Sequence, residues 1–397
     1  MILLDLTHTS HTHARTGVQR VARALGKELG KEAMAVCLDP YSRAWRPLAA
    51  WEKDELAAEG AVKKRGASWP LHARLRGLLH RRSPASTFGG ARGILVPEIF
   101  SPEVAAALPA LFAAVPGPRA ALFFDATPLK YPEFTPAKTV ARYPGYMREL
   151  LMFDGIAAIS EDARETLIEY WRWLGVARTP PVVAISLGVQ TTGASPHAPL
   201  RGANEDPSPP IVLSVGSVEG RKNHLALLEA CAGLWAEGAR FELHVIGLPR
   251  PETAGAALRR IQELQAAGRP LRYDGFVDAA ALKSAYAACA FTVYPSLMEG
   301  FGLPVGESLV RGKPCICSAR GALGESARGG GCLMLETVDA ESLGGAIGHL
   351  LSDRPALDRL AAAARGRKFK SEADYAREVK KWWSGLSPGR LPLDLPA

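Results

Sequence analysis

A repeated rhythm limits what this chain can fold into: a short apolar run, a polar or glycine-bearing loop, then a segment of helical period. The rhythm runs twice. Residues 2–6 read as a buried strand, and the loop after them ends at Thr16-Gly17. Val18, Val21, Ala22, Leu25 and Leu29 then recur at helical spacing. Runs at 94–96, 120–124, 155–159 and 182–187 read as further strands. Ser160 suits a helix N-cap, and Glu161 and Asp162 behind it suit the positive end of the helix dipole. Residues 188–210 break the pattern with Thr-Thr-Gly, several prolines and few large apolar side chains, as a linker does. The rhythm restarts with strands at 211–215, 241–246, 291–293, 315–318 and 332–335. Helices are expected at 223–234, at 278–290 and from about 340 onward, with a short helix opening at Glu307.

Alternating strands and helices predict parallel sheets covered on both faces. Two series predict two doubly wound, Rossmann-like α/β domains facing a cleft, over 1–187 and 211–370, joined by 188–210. A chain of 397 residues can bury two such cores without disulfides. Ligands in such sheets bind beyond the carboxyl ends of the strands, so informative residues should follow strands directly.

Several classes are excluded. The most apolar run, 104–115, is interrupted by Pro109 and falls short of the about 20 residues a membrane span needs. The N-terminus lacks the basic and long apolar regions of a signal peptide, so a cytoplasmic protein is expected. The 6 cysteines form no Cys-x-x-Cys pair and read as reduced, buried apolar side chains. Net charge is +8 and uneven: no acid lies between Glu59 and Glu98, whereas Lys63, Lys64, Arg65, Arg74, Arg76, Arg81, Arg82 and Arg92 do. Such a patch favours an anionic partner, and residues 63–82 suggest peripheral contact with an anionic membrane, or else a solvated insertion. No nucleic-acid partner is expected, and the oligomeric state is not legible.

Two motifs carry chemistry. Glu299 and Glu307 lie eight residues apart and flank Gly300-Phe301-Gly302-Leu303-Pro304-Val305-Gly306. Glycines let backbone N–H groups approach an anion, a helix N-terminus attracts phosphate, and a carboxylate accepts hydrogen bonds from sugar hydroxyls. The competing reading is two surface acids beside a turn. The second motif, Gly216-Ser217-Val218-Glu219-Gly220-Arg221-Lys222-Asn223-His224, follows a strand. Two adjacent cations at a helix start are unfavourable unless an anion, such as a diphosphate, joins them. A plain solvated turn is the other reading.

These motifs resemble the retaining glycosyltransferases of the GT-B fold, family four (glycosyl transferases group 1). The Glu-x7-Glu spacing agrees, as do Tyr294-Pro295-Ser296 before it and Gly312-Lys313-Pro314 after it. The resemblance implies an enzyme, a hexosyltransferase that takes its sugar from a nucleotide-diphosphate donor without a metal. It implies that Glu299 sits at the donor hexose and Glu307 at the ribose, and that Lys222 binds the diphosphate with help from Arg221. Gly216, Ser217, Gly300, Phe301, Gly302 and Leu303 would line the donor. Ser217 stands where many members carry Arg. Phe124-Asp125-Ala126-Thr127-Pro128 is similar to the family's His-Asp-x-x-Pro word near the reacting centre, with Asp125 in place and Phe124 replacing the histidine. Thr16-Gly17-Val18-Gln19-Arg20-Val21 resembles a mannosyltransferase-like subset that builds bacterial surface polysaccharides, which points to GDP-mannose as donor and a glycan or lipid-linked saccharide as acceptor. Gly17 and Thr16 are its acceptor-side candidates. In the family the last helix, here 371–386 with Tyr375, Val379, Trp382 and Trp383, packs back on the first domain.

No cofactor is expected. No pair of aspartates in Asp-x-Asp spacing offers a metal site, and His8, His11 and His13 lack a ligand of another type beside them apart from Asp5. The alternatives are a GT-B sugar-nucleotide epimerase, a phosphorylase, or a catalytically degenerate scaffold. No acid–base set for an epimerase can be assembled, and intact Glu299, Glu307 and Lys222 argue against a scaffold.

Overall fold

The computed structural model describes residues 1–12, 16–57, 69–79, 88, 90–190 and 208–389. The chain forms two compact units: Met1–Ala126 with Ala141–Gly188 and Ser371–Ala397, and Thr127–Val140 with Val189–Lys370. Residues 127–140, counted by sequence in the first domain, group with the second. The reason is a close approach: a Cβ on Gly220 would meet Phe134 Cδ1 at 2.2 Å, so only glycine admits that ring.

The first unit holds a seven-stranded sheet of β1 (Ile2–Asp5), β2 (Ala33–Asp39), β3 (Ala44–Pro47), β4 (Ile94–Val96), β5 (Arg119–Phe123), β6 (Gly155–Ala158) and β7 (Val182–Ala184). Their spatial order is β3-β2-β1-β4-β5-β6-β7. Every neighbouring pair is parallel except β2 with β3. The helix Gly17–Leu29 buries Val21, Ala22, Leu25 and Leu29 as its period predicts. Gln19 takes the inward place expected of Val18, because its side-chain oxygen accepts the Thr16 N–H at 3.2 Å and caps the helix. Ser160 caps Glu161–Trp173 by accepting from Ala163 N at 3.1 Å.

The second unit holds β8 (Ile211–Val215), β9 (Glu242–Ile246), β10 (Leu271–Asp274), β11 (Phe291–Tyr294), β12 (Cys315–Ser318) and β13 (Cys332–Leu335). The sheet is parallel throughout, in the order β10-β9-β8-β11-β12-β13. The direction of winding reverses between β8 and β11, which opens a crevice at the carboxyl ends of those two strands. In the first unit the reversal falls between β1 and β4. The second core is built from Val212, Leu227, Leu228, Leu243, Phe291, Ile316, Leu343 and Ile347, all buried.

The short helix after β11 is Leu303–Leu309, so it opens four residues before Glu307 rather than at it. Pro304 in its first turn has a fixed φ and no N–H to lose, which suits that start. The final helix, Glu372–Ser384, belongs to the first unit, where the Trp383 indole donates to the Ile94 carbonyl at 3.2 Å. No helix among the described residues is long and apolar enough to cross a membrane. Of the basic stretch 63–82 the described residues are 69–79, which include the helix Leu71–Leu79, on which Arg74 is exposed.

Candidate active site

β8 and β11 deliver the two motifs to the crevice between them. After β8 the chain makes a tight turn, Gly220–Lys222, and Asn223 in left-handed conformation starts the helix His224–Ala236. Asn223 holds that conformation while its amide donates to the Val338 carbonyl at 2.6 Å. The turn aims Arg221 and Lys222 at the segment after β11. There Glu299 Oε1 takes Lys222 Nζ at 2.5 Å and an Arg221 guanidinium nitrogen at 2.7 Å. Arg221 also bonds Glu219 at 2.8 Å and the Met298 carbonyl at 3.1 Å. Lys222 lies 4.6 Å from the centroid of the Tyr294 ring and donates to its hydroxyl. The Arg221 carbonyl accepts from Leu297 N at 2.9 Å, so the two loops are tied through backbone as well.

Burial alone would push Glu299 up. The Arg221 and Lys222 charges and their hydrogen bonds overcome it and hold the carboxyl at about 2. Lys222 is drawn below the ordinary lysine range by burial, with the Glu299 charge opposing. Its neighbour His224 is drawn to about 3 by burial and then by the Lys222 charge, so its ring is neutral at pH 7. The site therefore presents one carboxylate fixed between two cations. Gly302, at φ +93, turns the chain into the helix Leu303–Leu309, where Glu307 is 8% exposed. Ser217 and Gly216 follow β8 directly, as expected, and Gly216 N donates to Ile246 O at 2.9 Å. The cations can oppose negative charge that develops on a leaving group, in a setting drier than water.

Comparison with known proteins agrees with this chemistry. Residues 200–367 match the family described as glycosyl transferases group 1. The second half of the chain is thus similar to a group 1 glycosyltransferase domain. The serotype-specific mannosyltransferase WbdA of Escherichia coli is 25% identical over 335 residues, covering 79% of this chain and 38% of the relative. The O-antigen chain mannosyltransferase B of Escherichia coli is 34% identical over 142 residues, 36% of each chain. This chain thus spans less than two-fifths of the length of WbdA. A solved structure, sucrose-phosphate synthase from Thermosynechococcus elongatus, aligns with TM-score 0.66 at 19% identity, covering 97% of this chain and 98% of that one. The fold is GT-B.

In the first unit, the loop after β1 meets the segment after β4. Glu98 accepts from His8 N and Thr9 N, each at 2.8 Å. Asp5 accepts from Thr7 N at 2.9 Å. Burial, then the Glu98 charge, raises Asp5 to about 7, and burial raises Glu98 as well. His11 is buried, with Nδ1 2.6 Å from the Thr7 carbonyl and Nε2 2.7 Å from Glu52. Glu52 and Cys37 thus reach His11 from distant parts of the chain, which corrects the expectation that no second ligand type accompanies the histidines. Glu52 is nevertheless filled by Arg46, which bonds both its oxygens at 2.7 Å, and by Ala49 N at 2.6 Å. That is an ion-pair network rather than a free ligand set. His13 lies outside the described residues.

Thr16 and Gly17 are exposed at the start of Gly17–Leu29, and a Cβ on Gly17 would meet nothing within 4 Å. Asp125 is half-buried after β5, and its backbone carbonyl accepts from the Tyr143 hydroxyl at 2.6 Å. Phe124 beside it is buried. Three residues that the sequence did not single out matter locally: Tyr294 and Glu219, which bracket the two cations, and Glu98.

Proposed function

We propose that this chain transfers a hexosyl group from a nucleoside diphosphate sugar to a glycan or lipid-linked saccharide, with retention at the anomeric carbon and without a metal. The observation that carries this reading is the placement of Arg221 and Lys222 on Glu299 at the winding reversal of the second sheet. Arg221 and Lys222 take the leaving diphosphate, aided by backbone N–H groups of residues 300–303, so cationic side chains do the work a divalent ion does elsewhere. Glu299 faces the hexose and orients both cations, Glu307 takes the ribose, and Gly216 and Ser217 pass close to the phosphates. Asp125, Thr16 and Gly17 serve the acceptor. Mannose is the sugar we assign, supported by the names of the curated relatives, with GDP as the base to test first. The reaction belongs to surface polysaccharide synthesis in the cytoplasm. Residues 63–82 would hold the enzyme on an anionic membrane, and sedimentation with anionic liposomes that fades with salt would support that contact.

Thermal shift with GDP-, UDP-, ADP- and dTDP-sugars in the presence of EDTA tests the donor. A ligand that binds only the native state raises the melting point, and GDP-mannose is expected to raise it most. The anomeric configuration of the product, followed by NMR from the first turnovers, tests retention. A β-linked product from the α-linked donor would exclude it, and no shift with any nucleotide sugar at saturation would exclude the donor site as assigned.

A further inference from the structure

Three of the six cysteines converge on one edge of the second sheet. Cys315 and Cys317 alternate along β12, so both side chains point to the same face. Cys332 opens β13 directly opposite Cys315, in a register fixed by Cys315 N donating to the Gly331 carbonyl at 3.1 Å. Gly331 allows this because a Cβ there would strike Leu309 and Ala364, at 2.7 and 2.9 Å. The three sulfurs lie within 4.8 Å of one another. Cys315 and Cys317 are fully buried, while Cys332 is partly exposed and offers a way in.

We propose that Cys315, Cys317 and Cys332 form a binding site for a soft monovalent metal ion, Cu(I), held by three thiolates. A metal at about 2.3 Å from each of three sulfurs in a plane requires sulfur–sulfur separations of about 4 Å, which this cluster meets with little movement. Among the described residues no histidine or carboxylate joins the three sulfurs as a fourth ligand, as structural zinc would ask. Thiolate-only donors suit Cu(I) instead. On binding, each thiol releases its proton to solvent, and three thiolates with one monovalent ion leave a net charge of minus two. The Arg367 guanidinium lies close enough to Cys332 and Cys317 to feel their charge, and so offsets part of it. The site is separate from the donor-site cations, although Tyr294, which contacts Lys222, pairs in register with Cys317.

The test titrates the fully reduced full-length chain, without oxygen, into the Cu(I) complex of bathocuproine disulfonate and follows the loss of its colour. Wild type is expected to withdraw one equivalent. Cys332→Ser should weaken the withdrawal at least tenfold, while Cys37→Ser and Cys231→Ser, away from the cluster, leave it unchanged. Copper X-ray absorption of the loaded wild type should show three sulfurs, a readout independent of how any variant folds. No withdrawal by wild type, equal withdrawal by Cys332→Ser, or a copper shell with nitrogen or oxygen ligands would each overturn the proposal.

Discussion

At Glu299 one oxygen accepts from both Lys222 and Arg221, so the two cations do not play equal parts once one is removed. In Lys222→Ala, Arg221 still neutralises the carboxylate, and the fold should survive with a modest loss of melting temperature. Transfer should fall about 10²–10³-fold, the loss that follows removal of one preorganised donor to a developing anion. Near wild-type turnover in a folded Lys222→Ala would remove the residue from the reaction. The carboxyl at about 2 has a consequence for pH. Its contribution to stability is present above the ordinary carboxylate range and is lost only as pH falls towards about 2. No acid limb of kcat/KM near pH 4–5 should therefore belong to Glu299, and a limb there that vanishes in Glu299→Gln would contradict the site as described. Asp5 works in the opposite direction. Raised to about 7 by burial and Glu98, it keeps a proton in the folded state that the unfolded chain releases near pH 4. Stability then falls as pH rises through the window from about 4 to about 7, and above it the cost is fully present. Asp5→Asn still offers an oxygen to Thr7 but carries no charge. It should gain on wild type in melting temperature between pH 5 and pH 8, and parallel pH curves for the two proteins would refute the assignment. Arg221, Lys222 and Glu299 were legible because unusual charges stood beside glycines at strand ends. Glu98 and the Cys315–Cys317–Cys332 cluster were not, since Glu98 meets His8 and Thr9 from a loop far along the chain, and Cys332 meets Cys315 only through strand register.

At the scale of elements, the loop between β11 and the helix Leu303–Leu309 carries the sharpest conformational demand. Gly302 has φ +93, and a Cβ there would come within 2.9 Å of Leu323 Cδ2. Gly302→Ala is expected to cost about 1–3 kcal/mol and, on the proposed reading that the backbone of residues 300–303 meets the donor, to weaken donor binding. Gly345→Ala, inside the helix Ala340–Ser352 with open space around it, should instead stabilise by about 0.4–1 kcal/mol. Melting curves of the two variants, with and without GDP-mannose, separate a strained turn from a general intolerance of added methyl groups. The start of this helix was readable from Pro304, yet the spacing of the two glutamates drew attention to Glu307 instead. β2 and β3 escaped the sequence altogether. β2 is a seven-residue run whose first three residues are only partly buried, and β3 is an antiparallel edge strand ending in proline, a residue such edges tolerate. β10, a sheet-edge strand that carries Arg272 and Asp274, was not placed either. The other strands were found within one to three residues because each is an apolar run bounded by loop residues, as strands buried on both faces must be.

At the scale of the whole molecule, each unit reverses its winding once, between β1 and β4 and between β8 and β11; Thr16-Gly17 follows β1 at the first, and the 216–224 and 299–307 motifs follow β8 and β11 at the second. On the proposed reading the second reversal holds the donor and the first serves the acceptor, and this division of labour can be tested one unit at a time. Gly17 is the most useful position for it. A Cβ there would meet no atom of the described residues within 4 Å, so no described neighbour requires glycine. On the proposed reading the acceptor approaches the backbone at this point, which glycine permits. Gly17→Val should therefore leave the melting temperature and the shift produced by the donor almost unchanged. Its kcat/KM for the acceptor should fall at least about tenfold, as a penalty of about 1.4 kcal/mol gives. Lys222→Ala should lose donor shift and transfer together, because it strips charge from the unit that holds the nucleotide. The decisive comparison is the donor shift of the two variants measured beside their transfer rates. Unimpaired transfer by Gly17→Val would detach the first loop from acceptor binding. A lost donor shift in the same variant would mean that the first unit takes part in holding the nucleotide sugar, and the assignment of one ligand to each reversal would have to be redrawn.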